Sequence, residues 1–146
     1  MKIVIGLVSE DRNQQKDFSY RLREMLWENG HRYNPFFMEF LEPVEKTLKD
    51  YQILNSADNI SKLTTLLDTV FGIGTVSKGI RNKIENNFFS EIIVVGGIKG
   101  EAGIGIIKSF SNGFIVRLKN SENPKEKAEK LFNKKLKDIL DKEARK

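Results

Sequence analysis

Short apolar runs divide this chain into segments typical of a sheet. Residues 2–8 and 91–95 are almost unbroken apolar runs, and runs of this length indicate strands that are covered on both faces, as in a parallel sheet. Residues 114–118 form a further apolar strand. Within residues 31–41, apolar and polar positions partly alternate, which favours a short strand or an extended edge.

The segments between these strands have helical periodicity. Phe18, Leu22 and Met25 form one apolar stripe, and Gly30 follows it as a stop signal. Pro43 suits the first turn of a helix, and Ser56 or Asp58 suits an N-cap position. The predicted helices cover residues 15–29, 43–53, about 58–70, 76–88, a segment after 101, and residues from 124 onward.

Strands separated by helices indicate an α/β domain. We expect one three-layer domain over residues 1–146, with a mostly parallel central sheet flanked by helices. In such sheets, ligands bind at the carboxyl ends of the strands. Two loops follow strands at that edge, residues 9–14 and residues 96–105, so they are the candidate binding loops.

Composition narrows the possible chemistry. The chain has no cysteine and one histidine, which excludes disulfides, thiolate metal sites and cysteine nucleophiles and leaves little for an imidazole metal site. Any catalysis therefore depends on Lys, Arg, Asp, Glu, Ser or Thr. No apolar run approaches the roughly 20 residues that span a bilayer, so we expect a soluble cytoplasmic protein without membrane contact.

The formal charge of +5 is concentrated near the end of the chain. Residues 119–146 carry ten basic and six acidic side chains. Mixed charges on a terminal helix favour a solvated face, so a nucleic-acid partner is the less favoured interpretation.

The first strand, loop and helix form a typical setting for a phosphate, because the first amides of a helix are unpaired and its dipole favours anions. The loop of residues 9–14 contains no glycine, however. Glu10 and Asp11 would also repel a phosphate.

The order of these segments resembles a known family. Gly6, Leu7 and Val8, followed by Lys16 and Asp17 at a helix start, resemble the phosphate loop of P-loop nucleotide kinases, which ends in Gly-Lys and, in some deoxynucleoside monophosphate kinases, in Gly-Lys-Asp. Residues 93–99 resemble the strand that these kinases, and archaeal relatives of dephospho-coenzyme A kinase, end with Asp-Gly-x-Arg. Residues 39–48 and 62–74 are similar more weakly.

This resemblance implies a P-loop-kinase-like fold that binds a nucleotide such as ATP with Mg²⁺, or another phosphorylated small molecule. By position in the motifs, the resemblance implies that the phosphate is bound by Lys16, Lys99, Arg81, Gly97 and Gly100. It implies a nucleotide loop that contains Ser9, Arg12 and Asp17. Structural alternatives remain for these residues. Lys16 and Asp17 also suit an exposed helical turn, the glycines a tight turn with close helix packing, and Arg81 an ordinary surface position.

The departures from the family pattern fall on functional positions. Gln15 replaces the glycine before the lysine, and Gly96 replaces the carboxylate that would hold Mg²⁺. Lys99 replaces an arginine and so loses its bidentate fork. Because the cradle and the metal carboxylate supply most of the stabilisation in phosphoryl transfer, we expect weak or no kinase activity.

Two alternatives remain open. Residues 9–35 also resemble the first helix and turn of nucleoside deoxyribosyltransferase-like proteins, but the catalytic glutamate of that family is absent unless Glu101 serves. The second alternative is a non-catalytic module with a kinase-like scaffold that binds a protein or a nucleic acid. Its paired aromatics, residues 36–37 and 88–89, then suit a homodimer contact.

Overall fold

Four parallel strands form one sheet in the order β2-β3-β1-β4 in this computed structural model, which describes residues 1–72, 74–87 and 90–146. The strands are β1 (Ile3–Val8), β2 (Phe36–Glu39), β3 (Ile92–Gly96) and β4 (Gly113–Arg117). β1 lies in the interior of the sheet, and its register with β3 runs from Ile3 opposite Ile92 to Gly6 opposite Val95. The expected parallel neighbourhood of the first strand and the strand ending near Val95 is therefore confirmed.

Helices connect the strands and flank the sheet. Their bounds are α1 (Arg12–Glu28), α2 (Glu42–Asp50), α3 (Ala57–Phe71), α4 (Thr75–Glu85), α5 (Gly100–Lys108), α6 (Pro124–Leu131) and α7 (Lys137–Ala144), with a π-helical turn at Phe132–Leu136 between α6 and α7. The predicted helix over residues 76–88 ends at Glu85, and Phe88 and Phe89 lie outside the described residues.

The sheet is covered on both faces because successive side chains of a strand point to opposite sides. Ile3, Ile5 and Leu7 contact one core together with Phe18 of α1 and Phe132 of the C-terminal helices. Val4 faces a second core that contains side chains of β3, α4 and α5. These two cores confirm the expected three-layer α/β fold.

The start of α1 differs from the prediction. The helix begins at Arg12, one turn before the predicted residue 15, so the loop after β1 has three residues rather than six. Asp11 causes this early start because its carboxylate accepts hydrogen bonds from Asn13 N (2.9 Å) and Gln14 N (3.4 Å). Arg12, Asn13 and Gln14 are therefore helical rather than loop residues.

Candidate ligand cleft at the carboxyl edge of the sheet

The connections after β1 and β3 diverge at the carboxyl edge of the sheet. Side chains of α1 belong to the core on one face, and side chains of α5 belong to the core on the other. Because β1 and β3 are adjacent, a crevice opens between their two loops. This is the topological switch point at which open α/β sheets bind ligands.

The cleft at this switch point has a volume of about 550 Å³, which lies within the range of small-molecule sites. Its floor contains residues that follow the strands, and its outer wall is α3. The cleft is lined by Ser9, Glu10, Arg12, Gln15, Glu39, Phe40, Leu41, Glu45, Ala57, Ile60, Ser61, Thr64, Thr65, Asp68, Gly74, Val76, Ser77, Gly96, Gly97, Lys99 and Ala102.

The wall formed by α3 packs mainly on α2 and α4. None of its residues is fully buried, and Ile60, Ser61, Thr64 and Thr65 line the cleft. Thr64 Oγ1 donates to its own helix at Ile60 O (2.8 Å). The wall therefore combines apolar surface with short polar groups and the carboxylate of Asp68, which accepts from Thr75 N (3.2 Å); this mixture is typical of small-molecule sites.

Ser77 contributes a hydroxyl group to the cleft from the first turn of α4. Its residue is 6% exposed, and no described residue forms a hydrogen bond with its side chain. Its Oγ is not a fully enclosed unsatisfied atom, and Ser77 lines the cleft, so this hydroxyl group is a candidate hydrogen-bond partner for a ligand there.

Arg12 joins three elements at the mouth of the cleft. Its Nη2 lies 3.0 Å from Glu39 Oε2 at the end of β2 and 2.5 Å from Glu45 Oε2 in α2. The hydrogen bond with Glu45 and the nearby Glu39 carboxylate raise the pKa of Arg12 above its ordinary value. Because both carboxylates already engage Arg12, this guanidinium is a structural clamp rather than a free phosphate ligand.

Several polar groups of the loop after β1 and of the start of α1 bond to one another or to nearby side chains. Besides the Asp11 cap on α1, Gln15 Nε2 donates to Ser9 O (2.8 Å). Gln14 Nε2 donates to Lys119 O (3.1 Å) in the loop after β4. Asp11 places a negative charge where a phosphate would bind the helix amides. This loop therefore lacks the inward-facing amides of a phosphate cradle.

At the end of β3, the side chain of Gln15 fills the space that a side chain at position 96 would need. A Cβ atom at Gly96 would come 2.9 Å from Phe37 Cζ and 3.0 Å from Gln15 Cδ, and closer still to Gln15 Oε1. Contacts this short are rare or absent for real Cβ atoms, so a side chain at position 96 would require Gln15 and Phe37 to shift. The side chain at position 15 and the absence of one at position 96 therefore depend on each other.

The loop after β3 remains open toward the cleft. Gly97 and Gly100 have φ values of +73° and +71°, a region that favours glycine. Gly97 and Lys99 line the cleft, and Gly100 begins α5 directly after Lys99. No side chain caps this helix start, in contrast to α1. Lys99 has no carboxylate partner among the described residues, so its ammonium group is the cation available to a ligand.

The structure brings together only part of the predicted site. Ser9, Arg12, Gly97 and Lys99 line the cleft. Lys16 and Asp17 do not; both are exposed on α1, and Lys16 borders a different hollow.

Arg81 also lies away from the cleft lining. Its Nε pairs with Glu85 Oε1 (2.8 Å), and its guanidinium carbon lies 5.7 Å from the centroid of the Phe110 ring. Sequence reasoning missed the hydroxyl groups of α3 and Ser77, although Ser61, Thr64 and Thr65 at helical spacing were a visible signal.

The residues present do not fit a resident metal ion. Over residues 1–72, 74–87 and 90–146, no group of three His, Asp or Glu side chains has the arrangement of a metal site. At the end of β3, where the resembled kinases carry a carboxylate, Gly96 offers no donor and Gln15 fills the space. We therefore derive no reaction step through Mg²⁺.

No family model, curated protein or solved structure matches the chain. The residues and the geometry described above are therefore the basis for any functional conclusion. In the part of the chain that the structure describes, each helix is too short or too polar to cross a bilayer.

Proposed function

We propose that the protein binds a nucleotide, or a related phosphorylated small molecule, in the cleft at the carboxyl edge and transfers phosphoryl groups weakly or not at all. The position of the cleft supports this function most strongly, because it opens where the connections of the adjacent strands β1 and β3 diverge.

The lining suggests how such a ligand lies. Phe40, Leu41 and Ile60 provide apolar surface for a base, and the hydroxyl groups of Thr65 and Ser77 provide hydrogen bonds for a sugar or base edge. Lys99 and Gly97 line the cleft together, so a phosphate is favoured beside them. Glu39, whose register partner is Gly96, and Glu45 add negative charge to the same cleft, so we expect a monophosphate to bind better than a triphosphate.

The absence of efficient transfer has a physical basis. Phosphoryl transfer requires donors and a metal at the developing charge of the transition state. Here the amides of α1 are capped by Asp11, and Gly96 supplies no metal ligand. Binding energy from Lys99 alone acts on the ground state and the transition state alike, so it favours binding over turnover.

Titration of the ¹⁵N-labelled protein with deoxynucleoside monophosphates, ATP and the unphosphorylated nucleosides tests this function. We expect amide shifts in the loop around Gly97 and on the cleft side of α3, with or without Mg²⁺, and no product by phosphate chromatography. If neither region responds to any of these ligands at millimolar concentration, the proposal fails.

Matched variants locate the site. Thr65→Trp fills the cleft, whereas Thr69→Trp adds the same ring one turn further along the same helix, outside the lining. Lys99→Met removes the proposed phosphate partner, and Lys108→Met removes an exposed charge at the far end of α5. Binding should be lost in the first member of each pair and retained in the second. Equal loss in both members would contradict the assignment.

A further inference from the structure

A second surface of the molecule combines cations with aromatic rings. Lys16, Tyr20, Arg23 and Trp27 follow one another at spacings of four, three and four residues along α1, which places them on one face. All four are exposed, Tyr20 at 64% and Trp27 at 38%. The stripe is about 16 Å long. It lies on the solvent side of α1, opposite the side chains that pack into the core.

The cations of this stripe are not used by ion pairs. Arg21, on a different face of α1, contacts Glu24 (3.2 Å), Glu28 (3.3 Å) and Glu129 (2.8 Å). Glu24 and Glu28 are therefore each paired with Arg21. For Lys16, Arg23 and the nearby Arg32, no carboxylate lies within ion-pair distance among the described residues. Asp17 is the unpaired acidic neighbour on this helix, and it lies about 100° round the helix from Lys16 and about 60° from Tyr20.

Trp27 fixes the two arginines of this surface. The guanidinium carbons of Arg23 and Arg32 each lie 5.0 Å from the centroid of its ring. The indole Nε1 donates to Tyr33 O (3.0 Å), so the ring itself is held in place. Stacking orients a guanidinium and leaves its N–H groups at the edge, where they can bond to phosphate oxygens.

A hollow of about 320 Å³ lies beside the stripe, between α1 and the start of β2. It is lined by Lys16, Ser19, Tyr20, Arg23, Pro35 and Phe37. Two aromatic rings and two cations thus face one small concave space. A planar ring with an attached phosphate matches this combination, since the ring stacks on an aromatic side chain while the cations meet the phosphate.

We propose that this stripe binds single-stranded nucleic acid, with a base in the hollow against Tyr20 and the phosphates of the strand along Lys16, Arg23 and Arg32. Single strands rather than duplexes are expected because only unstacked bases offer a ring face to Tyr20. Stacking and phosphate contacts are tolerant of sequence, so weak base preference is expected. This site is independent of the cleft, and it does not use the basic C-terminal helices.

Fluorescence anisotropy with a labelled oligothymidylate of about ten nucleotides tests the proposal against a duplex of equal length. We expect the single strand to bind more tightly than the duplex. The slope of log K against log salt should fall in magnitude by about 0.7 for each cation removed, in Lys16→Ala and in Arg23→Ala. Inorganic polyphosphate serves as a probe for charge alone.

Three variants separate stacking from charge. Tyr20→Ala should weaken single-strand binding by about tenfold without changing polyphosphate binding, whereas Tyr20→Phe should bind as the parent does. Lys134→Ala removes the same charge from an exposed position near the end of the chain and should have little effect. The proposal is overturned if the single strand does not bind, if the duplex binds as well, if Tyr20→Ala is silent, or if Lys134→Ala weakens binding as much as Lys16→Ala.

Discussion

The side-chain amide of Gln15 lies against the α-carbon of Gly96 and leaves no room for a Cβ atom at that position. Gln15 is 2% exposed, and its Nε2 is bonded to Ser9 O at 2.8 Å. One buried side chain thus bonds to the loop after β1 and also occupies the space that a residue larger than glycine would need at the end of β3. The kinases that the sequence resembles carry a glycine and a carboxylate at these two places, and this chain has neither.

This relationship predicts energetic coupling between positions 15 and 96. Gly96→Ala should lower the free energy of unfolding by about 1–3 kcal/mol because the added methyl group overlaps Gln15 and Phe37. In a Gln15→Ala background the same substitution should cost about 1 kcal/mol less, because part of the overlap is gone. Chemical denaturation of the four proteins measures the coupling. If the two substitutions lower the free energy of unfolding additively, Gln15 does not restrict position 96. Asn13→Ala, at an exposed position, is the control background, in which Gly96→Ala should have its full cost.

The Asp11 cap supports a second prediction. Asp11→Ala should lower the free energy of unfolding by about 1 kcal/mol, because Asn13 N and Gln14 N lose their acceptor. Asp11→Asn keeps an acceptor oxygen and should cost less than half as much. Asp17→Ala is the control, because Asp17 lies on the same helix, is exposed and has no bonded partner among the described residues. Denaturation curves in which Asp17→Ala is as costly as Asp11→Ala would contradict the capping role.

The sequence predicted the layers of this fold well and its candidate site only in part. Apolar runs such as residues 92–95 have one physical interpretation, which is burial on both faces of a sheet. The expected adjacency of β1 and β3 was based on that interpretation. Gln15 was different, because periodicity counts glutamine as polar and therefore places it at the surface. Its burial depends on a partner, Ser9 O, that only the folded chain brings near. The cleft wall on α3 was missed for a similar reason, since the three-dimensional path of that helix decides which hydroxyl groups meet β3.

The pKa of Glu122 provides a pH-dependent test of the loop after β4. A hydrogen bond from Lys127 Nζ (2.6 Å) and one from Lys119 N (3.2 Å) lower the pKa of this carboxyl below its ordinary value. A lowered pKa in the folded state means that Glu122 stabilises the fold above the unfolded pKa, about 4.3, and that this contribution is lost as the pH falls through the folded value.

Lys127→Met should therefore raise the pKa of Glu122 toward its ordinary value and reduce the loss of stability on acidification. A ¹³C-detected titration of the side-chain carboxyl measures this change directly. Lys130→Met removes an exposed charge from the same helix and should leave the Glu122 titration in place. An unchanged midpoint in Lys127→Met would exclude the ion pair as the cause.

The glycines after β3 should respond differently to alanine because each has a different environment. Gly105 is exposed in α5, and a Cβ atom at this position would have no atom within 4 Å. Gly105→Ala should therefore raise the free energy of unfolding by about 0.5–1 kcal/mol, because alanine has the higher helix propensity. Gly103 lies on the buried side of the same helix, where a Cβ would sit 3.2 Å from Ile98 Cγ2 and 3.2 Å from Phe40 Cζ. Crowding there offsets the propensity gain, so Gly103→Ala should be less stable than Gly105→Ala. Thermal and chemical unfolding of the two variants decide whether these glycines serve helix packing. If both substitutions stabilise equally, close packing does not require Gly103, and its presence must have another cause.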